Sequence, residues 1–173
     1  MNLVLDLGNT SSKAAVFNGS EIVESNTFPK EQWSELMAFC ISRPFDGAIL
    51  SSVVNHPDQL TTFVKNLENG WVLDQTVNLP FSNKYATPET LGKDRLSNAA
   101  ALFDKYSGQN ALCIDVGTCI KCDFVNSEGE YLGGSIGPGL KMRFKSLNTF
   151  TDKLPLIELQ TDTKLVGTST ETS

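Results

Sequence analysis

The chain has 173 residues, of which 40% are hydrophobic and 20% charged, with a net charge of −6. These proportions fit one globular domain or two small lobes around a cleft, and they exclude a disordered chain. They also exclude a groove for nucleic-acid phosphates, which needs clustered Lys and Arg, and no apolar run is long enough for a signal peptide or membrane span.

A cytoplasmic protein with no nucleic-acid or membrane partner is therefore expected. Leu3-Val4-Leu5 reads as a buried strand that halts at Asp6-Leu7-Gly8-Asn9-Thr10. Ala14 to Phe17 makes a second strand, Asn18-Gly19 a hairpin turn, and Ile22 and Val23 begin a third strand. Trp33, Leu36, Met37 and Cys40 fall at i, i+3, i+4 and i+7, the spacing of an amphipathic helix. Residues 46–54 read as a further buried strand. Leu60, Phe63, Val64 and Leu67 repeat the helical spacing, and Trp71-Val72-Leu73 is a short strand. Residues 75–92 show no regular element. Pro80, Pro88 and Gly92 punctuate them as a long loop, and long loops in compact domains are often functional. From Asp94 a helix resumes, with Leu96, Ala99, Ala100 and Phe103 on one face.

The opening pattern then returns. Leu112-Cys113-Ile114-Asp115-Val116-Gly117-Thr118 mirrors Leu3-Val4-Leu5-Asp6-Leu7-Gly8-Asn9, and Glu128-Gly129 stands where Asn18-Gly19 stood. This is an internal repeat of a strand, acidic turn, strand unit. Two such units facing each other place Asp6 and Asp115 on opposite walls of one cleft. Cys119 and Cys122 have the spacing of a zinc or redox pair, but three residues apart on a strand they face opposite ways. His56 is the lone histidine, so further ligands are scarce, and reduced, packed thiols are expected, as for Cys40 and Cys113. After Pro138-Gly139, Leu140, Phe144 and Leu147 form a narrow apolar stripe beside Lys141, Arg143 and Lys145.

The first acidic turn has the makings of a phosphate site. Gly8 lets the backbone approach a ligand, the hydroxyls of Thr10, Ser11 and Ser12 can donate to phosphate oxygens, and Lys13 adds positive charge. Asp6 would repel phosphate unless a cation lay between them, and Mg²⁺ takes one or two carboxylates together with phosphate oxygens and water. One such turn is equally a hairpin whose Asp caps itself; two copies favour the ligand. Gly134 to Lys141 has spaced glycines but no Gly-Lys-Ser/Thr, which closes the P-loop route.

The duplicated Asp-x-Gly hairpin resembles the actin/hexokinase/Hsp70 superfamily of phosphotransferases. Four segments in order are similar to type III pantothenate kinases: Asp6-Leu7-Gly8-Asn9-Thr10, Gly92-Lys93-Asp94-Arg95, Asp115-Val116-Gly117-Thr118, and Gly133 to Gly139. The resemblance implies an α/β fold of duplicated ribonuclease H-like domains around a nucleotide cleft, at 1–108 and 109–173. It implies phosphorylation of pantothenate by ATP, the first step of coenzyme A biosynthesis. Asp6, Leu7, Gly8, Asn9, Thr10, Ser11, Ser12 and Lys13 resemble the ATP phosphate loop, with Thr118 across the cleft and Mg²⁺ held by Asp6 through water. Asp94 resembles the base that takes the proton of the substrate hydroxyl, and Arg95 is suited to a bidentate grip on the pantothenate carboxylate. Gly92, Lys93, Tyr85 and Thr170 resemble the rest of the substrate pocket, and Asp115 the site of an activating potassium or ammonium ion. The resemblance further implies a homodimer, with the helix after Gly139 a candidate for the contact.

Plainer readings exist beside these. Asp94 and Arg95 also suit an ordinary acidic helix start with a surface ion pair, Tyr85 a packing tyrosine, and Asp115 a second turn cap. Cys119 stands where the family commonly has Ala. Family members continue beyond the segment Gly167-Thr168-Ser169-Thr170, so an incomplete second domain is expected. Another small-molecule kinase of the same fold, or a nucleotide-binding regulatory relative without catalysis, is the alternative function. The presence of Asp6, Asp94 and Asp115 together favours catalysis.

Overall fold

Alternating leucines set the first strand. Leu3, Leu5 and Leu7 are fully buried while Asn2, Val4 and Asp6 turn to the other face, so β1 (Asn2–Leu7) packs one side only. The computed structural model describes residues 1–74, 76–160 and 164–172. β1 reaches Leu7, beyond the stop expected at Asp6, which places the Asp6 carboxylate on the strand itself. β2 (Ser11–Asn18) runs antiparallel to it, and a two-residue loop containing Gly19 at φ 60° leads into β3 (Glu21–Pro29). Ile22 and Val23 lie in that strand as expected, but exposed.

The helix spacings hold. α1 (Trp33–Ile41) buries Leu36 and Cys40, and α2 (Asp58–Lys65) buries Leu60 and Val64. Between them β4 (Gly47–Ser52) pairs parallel with β1, and β5 (Asn69–Val72) pairs parallel with β4. The first sheet has the order β3-β2-β1-β4-β5. Its core joins Leu3, Leu5, Leu7, Ala14, Val16 and Leu50 to the buried faces of α1 and α2.

The long loop is more ordered than its sequence suggested. It contains the two-residue strand β6 (Ser82–Asn83) and a 3₁₀ turn at Pro88–Thr90. Leu73, Phe81 and Leu91 pack it against the second core, with Leu96, Ala99 and Leu102 of α3 (Lys93–Lys105), Val125 and Tyr131. β7 (Ala111–Val116), β8 (Cys119–Val125) and β9 (Glu130–Pro138) form an antiparallel meander like β1 to β3, and β6 joins β9 in parallel. The second sheet is therefore ordered β6-β9-β8-β7. The glycine-rich segment forms most of β9, and a Cβ at Gly139 would strike the carbonyls of Gly117 and Thr118. Its packing holds the second acidic turn in place.

The two sheets differ in one respect. Leu3, Leu5 and Leu7 are 0% exposed under α1 and α2, whereas Leu112, Ile114 and Val116, on the matching face of β7, are 55%, 61% and 63% exposed. α4 (Leu140–Thr149) buries none of its residues, and Leu140 and Leu147 of the expected apolar stripe are exposed. Among the described residues no helix is long and apolar enough to cross a membrane.

Candidate active site

The two acidic turns meet. Thr10 Oγ1 and Thr118 Oγ1 are 2.7 Å apart and hydrogen-bonded, joining hairpins 108 residues apart in sequence. Gly8 N–H donates to the Ser11 carbonyl at 3.1 Å and Gly117 N–H to the Cys119 carbonyl at 3.0 Å, so each turn is closed by its glycine, the second one residue tighter than the first. In each, the acid sits on the outgoing strand directly opposite a lysine on the returning strand: Asp6 faces Lys13, and Asp115 faces Lys121. Asp6 and Asp115 thus stand on hairpins that touch through Thr10 and Thr118.

Burial sorts the residues expected to bind phosphate. Asn9 and Thr10 are exposed in the turn, Gly8 and Ser11 are half-buried, and Lys13 is exposed beside Asp6. Leu7 and Ser12 pair across the two strands and both face the core, Leu7 fully buried and Ser12 2% exposed. Burial pushes the Asp6 carboxyl above its usual range; Lys13 and Lys121 pull it back, while Asp94 and Asp115 push further up. A half-buried carboxylate among other carboxylates, at the mouth of a hydroxyl-lined turn, suits a hydrated divalent cation.

α3 brings the next motif to the same place. Gly92 is its N-cap, and Asp94 Oδ1 accepts the Arg95 backbone N–H at 2.9 Å, the ordinary use of an acid in a first helical turn. The other oxygen, Oδ2, is ion-paired with Lys121, whose Nζ also lies 2.7 Å from Asp115 Oδ2. Lys121 thus bridges Asp94 and Asp115. Lys93, beside them, is half-buried.

Arg95 points inward, not to the surface. Its Nε donates to Asp123 Oδ1 at 2.7 Å, and Asp123 is 0% exposed. The same carboxylate accepts from Tyr131 Oη at 2.8 Å and Asn98 Nδ2 at 3.2 Å. Burial first, then Asp123, pushes the Tyr131 phenol far above its usual range. The guanidinium lies 5.5 Å from the Tyr85 ring centroid, and Tyr85 stacks on Tyr131. Arg95 Nη2 is buried with no hydrogen-bond partner among the described residues. Asp123 takes the Nε side of the fork. Thr170 is exposed in a terminal turn, and among the described residues none of these hydrogen bonds or ion pairs involves it.

Four contributors escaped the sequence reading: Asn98, Lys121, Asp123 and Tyr131. One of them has a counterpart in the first copy: Lys121 pairs with Asp115 as Lys13 pairs with Asp6, but the shorter second turn shifts it one residue from the position the repeat gives to Cys122. Cys119 and Cys122 are free and half-buried on β8, and the thiol of buried Cys40 is pushed up to about 11 by desolvation.

A model of the type III pantothenate kinase family matches residues 2–173. A protein of Christiangramia forsetii described as type III pantothenate kinase is 46% identical over 176 residues, covering 100% of this chain and 72% of its own length. Those so described from Phocaeicola vulgatus and Flavobacterium johnsoniae are 37% and 38% identical, with 72% and 70% of their lengths covered. A crystal structure titled as a conserved putative Baf family transcriptional activator from Campylobacter jejuni superposes with a TM-score of 0.59 at 19% identity, over 98% of this chain and 69% of that one. That likeness concerns the fold alone. From the whole-chain match and these identities, the chain belongs to the type III pantothenate kinase family.

Proposed function

We propose that the protein phosphorylates the primary hydroxyl of pantothenate with ATP, the reaction that opens coenzyme A biosynthesis. The observation that carries this reading is the convergence of three separate segments: the turns of Asp6 and Asp115 joined through Thr10 and Thr118, and the Asp94 helix start tied to Asp115 by Lys121. Phosphoryl transfer needs little covalent help, so its catalyst is mainly a set of positioned charges and donors. The Asp6 to Lys13 hairpin and Thr118 hold the phosphates. Mg²⁺, held by Asp6 through water, would neutralise phosphate charge as it shifts to the leaving group.

Asp94 receives the proton of the attacking hydroxyl. Its two oxygens already accept from Arg95 N–H and Lys121, yet each keeps a lone pair for a further donor. Arg95, whose guanidinium lies over the Tyr85 ring, grips the substrate carboxylate, and Gly92 and Lys93 complete the pocket. Two halves built on the repeated meander, 1–108 and 109–173, form duplicated ribonuclease H-like domains around the cleft. The protein works in the cytoplasm as a homodimer, which the exposed stripe of α4 supports.

The test is direct. Purified protein is incubated with ATP, Mg²⁺ and either pantothenate or a panel of sugars and short carboxylic acids. Phosphopantothenate identified by mass spectrometry is the expected product. Transfer to another acceptor with none to pantothenate would overturn the substrate, and no transfer to any acceptor would overturn the kinase reading.

A further inference from the structure

Resting on the reading of this cleft as a phosphoryl-transfer site, we infer that the ammonium of Lys121 is its resident monovalent cation, so that the enzyme needs no added potassium or ammonium ion. The resemblance attaches such an ion to Asp115. The structure puts something else there: Lys121 Nζ lies 2.7 Å from Asp115 Oδ2 and is ion-paired with Asp94 as well. The carboxylate that would hold the ion already has its charge met by a covalently attached cation of the same valence. A second cation on Asp115 would stand within a few ångströms of that ammonium, with strong repulsion in a half-buried cleft. The donor set does not fit a free monovalent ion.

The environment supports a permanent charge. The Lys121 side chain is only 13% exposed. Burial alone pushes its ammonium down, but the hydrogen bonds to Asp115 and Asp94 outweigh this and leave it above its ordinary range, protonated through the neutral region. Its position is also built twice, since Lys13 stands opposite Asp6 as Lys121 stands opposite Asp115. Lys13 is exposed while Lys121 is enclosed between two carboxylates, so only the second copy has become a fixed bridge. An ammonium has three N–H donors. Two are used on Asp115 and Asp94, and the third is available to a phosphate oxygen.

The experiment compares the parent with Lys121→Met, which keeps length and loses charge, and Lys121→Arg, which keeps charge. Rates are measured with potassium, ammonium, sodium and tetramethylammonium chlorides at equal ionic strength. The parent rate is expected to vary less than about twofold across the four, while Lys121→Met in tetramethylammonium falls on the order of tenfold to a hundredfold, the scale of a lost charged hydrogen bond. Potassium or ammonium should restore much of that loss, and Lys121→Arg should keep the parent's indifference to salt. A second readout needs no turnover: thallous ion, a potassium mimic, should show a broadened ²⁰⁵Tl resonance with Lys121→Met and not with the parent. Several-fold activation of the parent by potassium or ammonium, thallous binding by the parent, or full activity of Lys121→Met in tetramethylammonium would each overturn the inference. If Lys121→Met does not fold, the parent's salt series and thallous spectrum decide alone. A parent that phosphorylates nothing in any salt counts against the kinase reading, and its thallous spectrum still decides the charge assignment.

Discussion

Asp94 and Asp6 are both half-buried acids, and their surroundings differ. Asp94 is held at both oxygens, by Arg95 N–H and by Lys121. Asp94→Asn keeps the size of the side chain but can accept from only one of these two donors and cannot take up the proton, so kcat is expected to fall by on the order of a hundredfold to ten-thousandfold, with a smaller change in KM for pantothenate. Steady-state kinetics check this, and an unchanged kcat would remove Asp94 as the base. Asp6 is instead burdened by its position, because burial chiefly raises its pKa above the ordinary 3.8. The folded protein then binds the proton more tightly than the unfolded chain. Ionised Asp6 therefore costs stability at neutral pH, and the cost vanishes as pH falls through the raised folded value. Asp6→Asn is expected to abolish transfer yet melt higher than the parent at neutral pH, the gap closing toward about pH 4. A variant that melts lower at neutral pH would contradict this. Both acids were legible because each lies in a motif with chemistry of its own. Ser12 carried a second signal as well: Ala14 and Val16 follow it at the strand period of two, and all three face the core.

At the scale of elements, α3 joins the segment Gly92-Lys93-Asp94-Arg95 to the second sheet, and it does so through a buried charge. Arg95 reaches Asp123 on β8, and Tyr131 from β9 completes the cluster. Removing one partner of a buried pair leaves an uncompensated charge, which costs about 3–5 kcal/mol. Arg95→Ala is therefore expected to unfold in milder denaturant as well as to bind pantothenate poorly. Arg95→Met combined with Asp123→Asn should recover much of the lost stability and none of the binding. Urea titrations of the single and double variants test the coupling; additive losses would show that the pair is not a unit. The helix and strand positions were legible from periodicity, and α1, α2 and α3 lie where their apolar spacing put them. The Arg95–Asp123 contact was not. In Lys121-Cys122-Asp123 nothing in the strand period marks one acid as buried, and the partner lies on an element 28 residues away. The short strand Ser82–Asn83 was equally hidden, since two residues cannot show a period and its pairing with β9 alone defines it.

For the whole molecule, the repeat was the most productive line in the sequence, because it announced two facing hairpins and the structure joins them at Thr10 and Thr118. What it could not announce was how differently the copies are covered. One sheet lies under two helices, while the second meets α3 on one face and leaves Leu112, Ile114 and Val116 open on the other. The stripe on α4 is open too. Were the molecule a dimer through that helix, Leu147→Glu would place a charge in the contact without disturbing any buried residue of the protomer. Equilibrium sedimentation is expected to show a dimer for the parent and a shift to monomer for the variant. A monomeric parent would remove the dimer.

The bare face of β7 also governs how the protein behaves in a test tube. Among the described residues β7 is the last strand of its sheet, so an unpaired backbone edge adjoins the row of Leu112, Ile114 and Val116. An exposed apolar edge strand is a template on which another chain can add, and its stickiness grows with protein concentration and with salts such as sulfate that strengthen apolar association. Fluorescent dyes that light up on apolar surface should report this strip in the folded protein. Storage is best in dilute, low-sulfate buffer, and a lysine at Ile114 is the simplest route to a better-behaved sample.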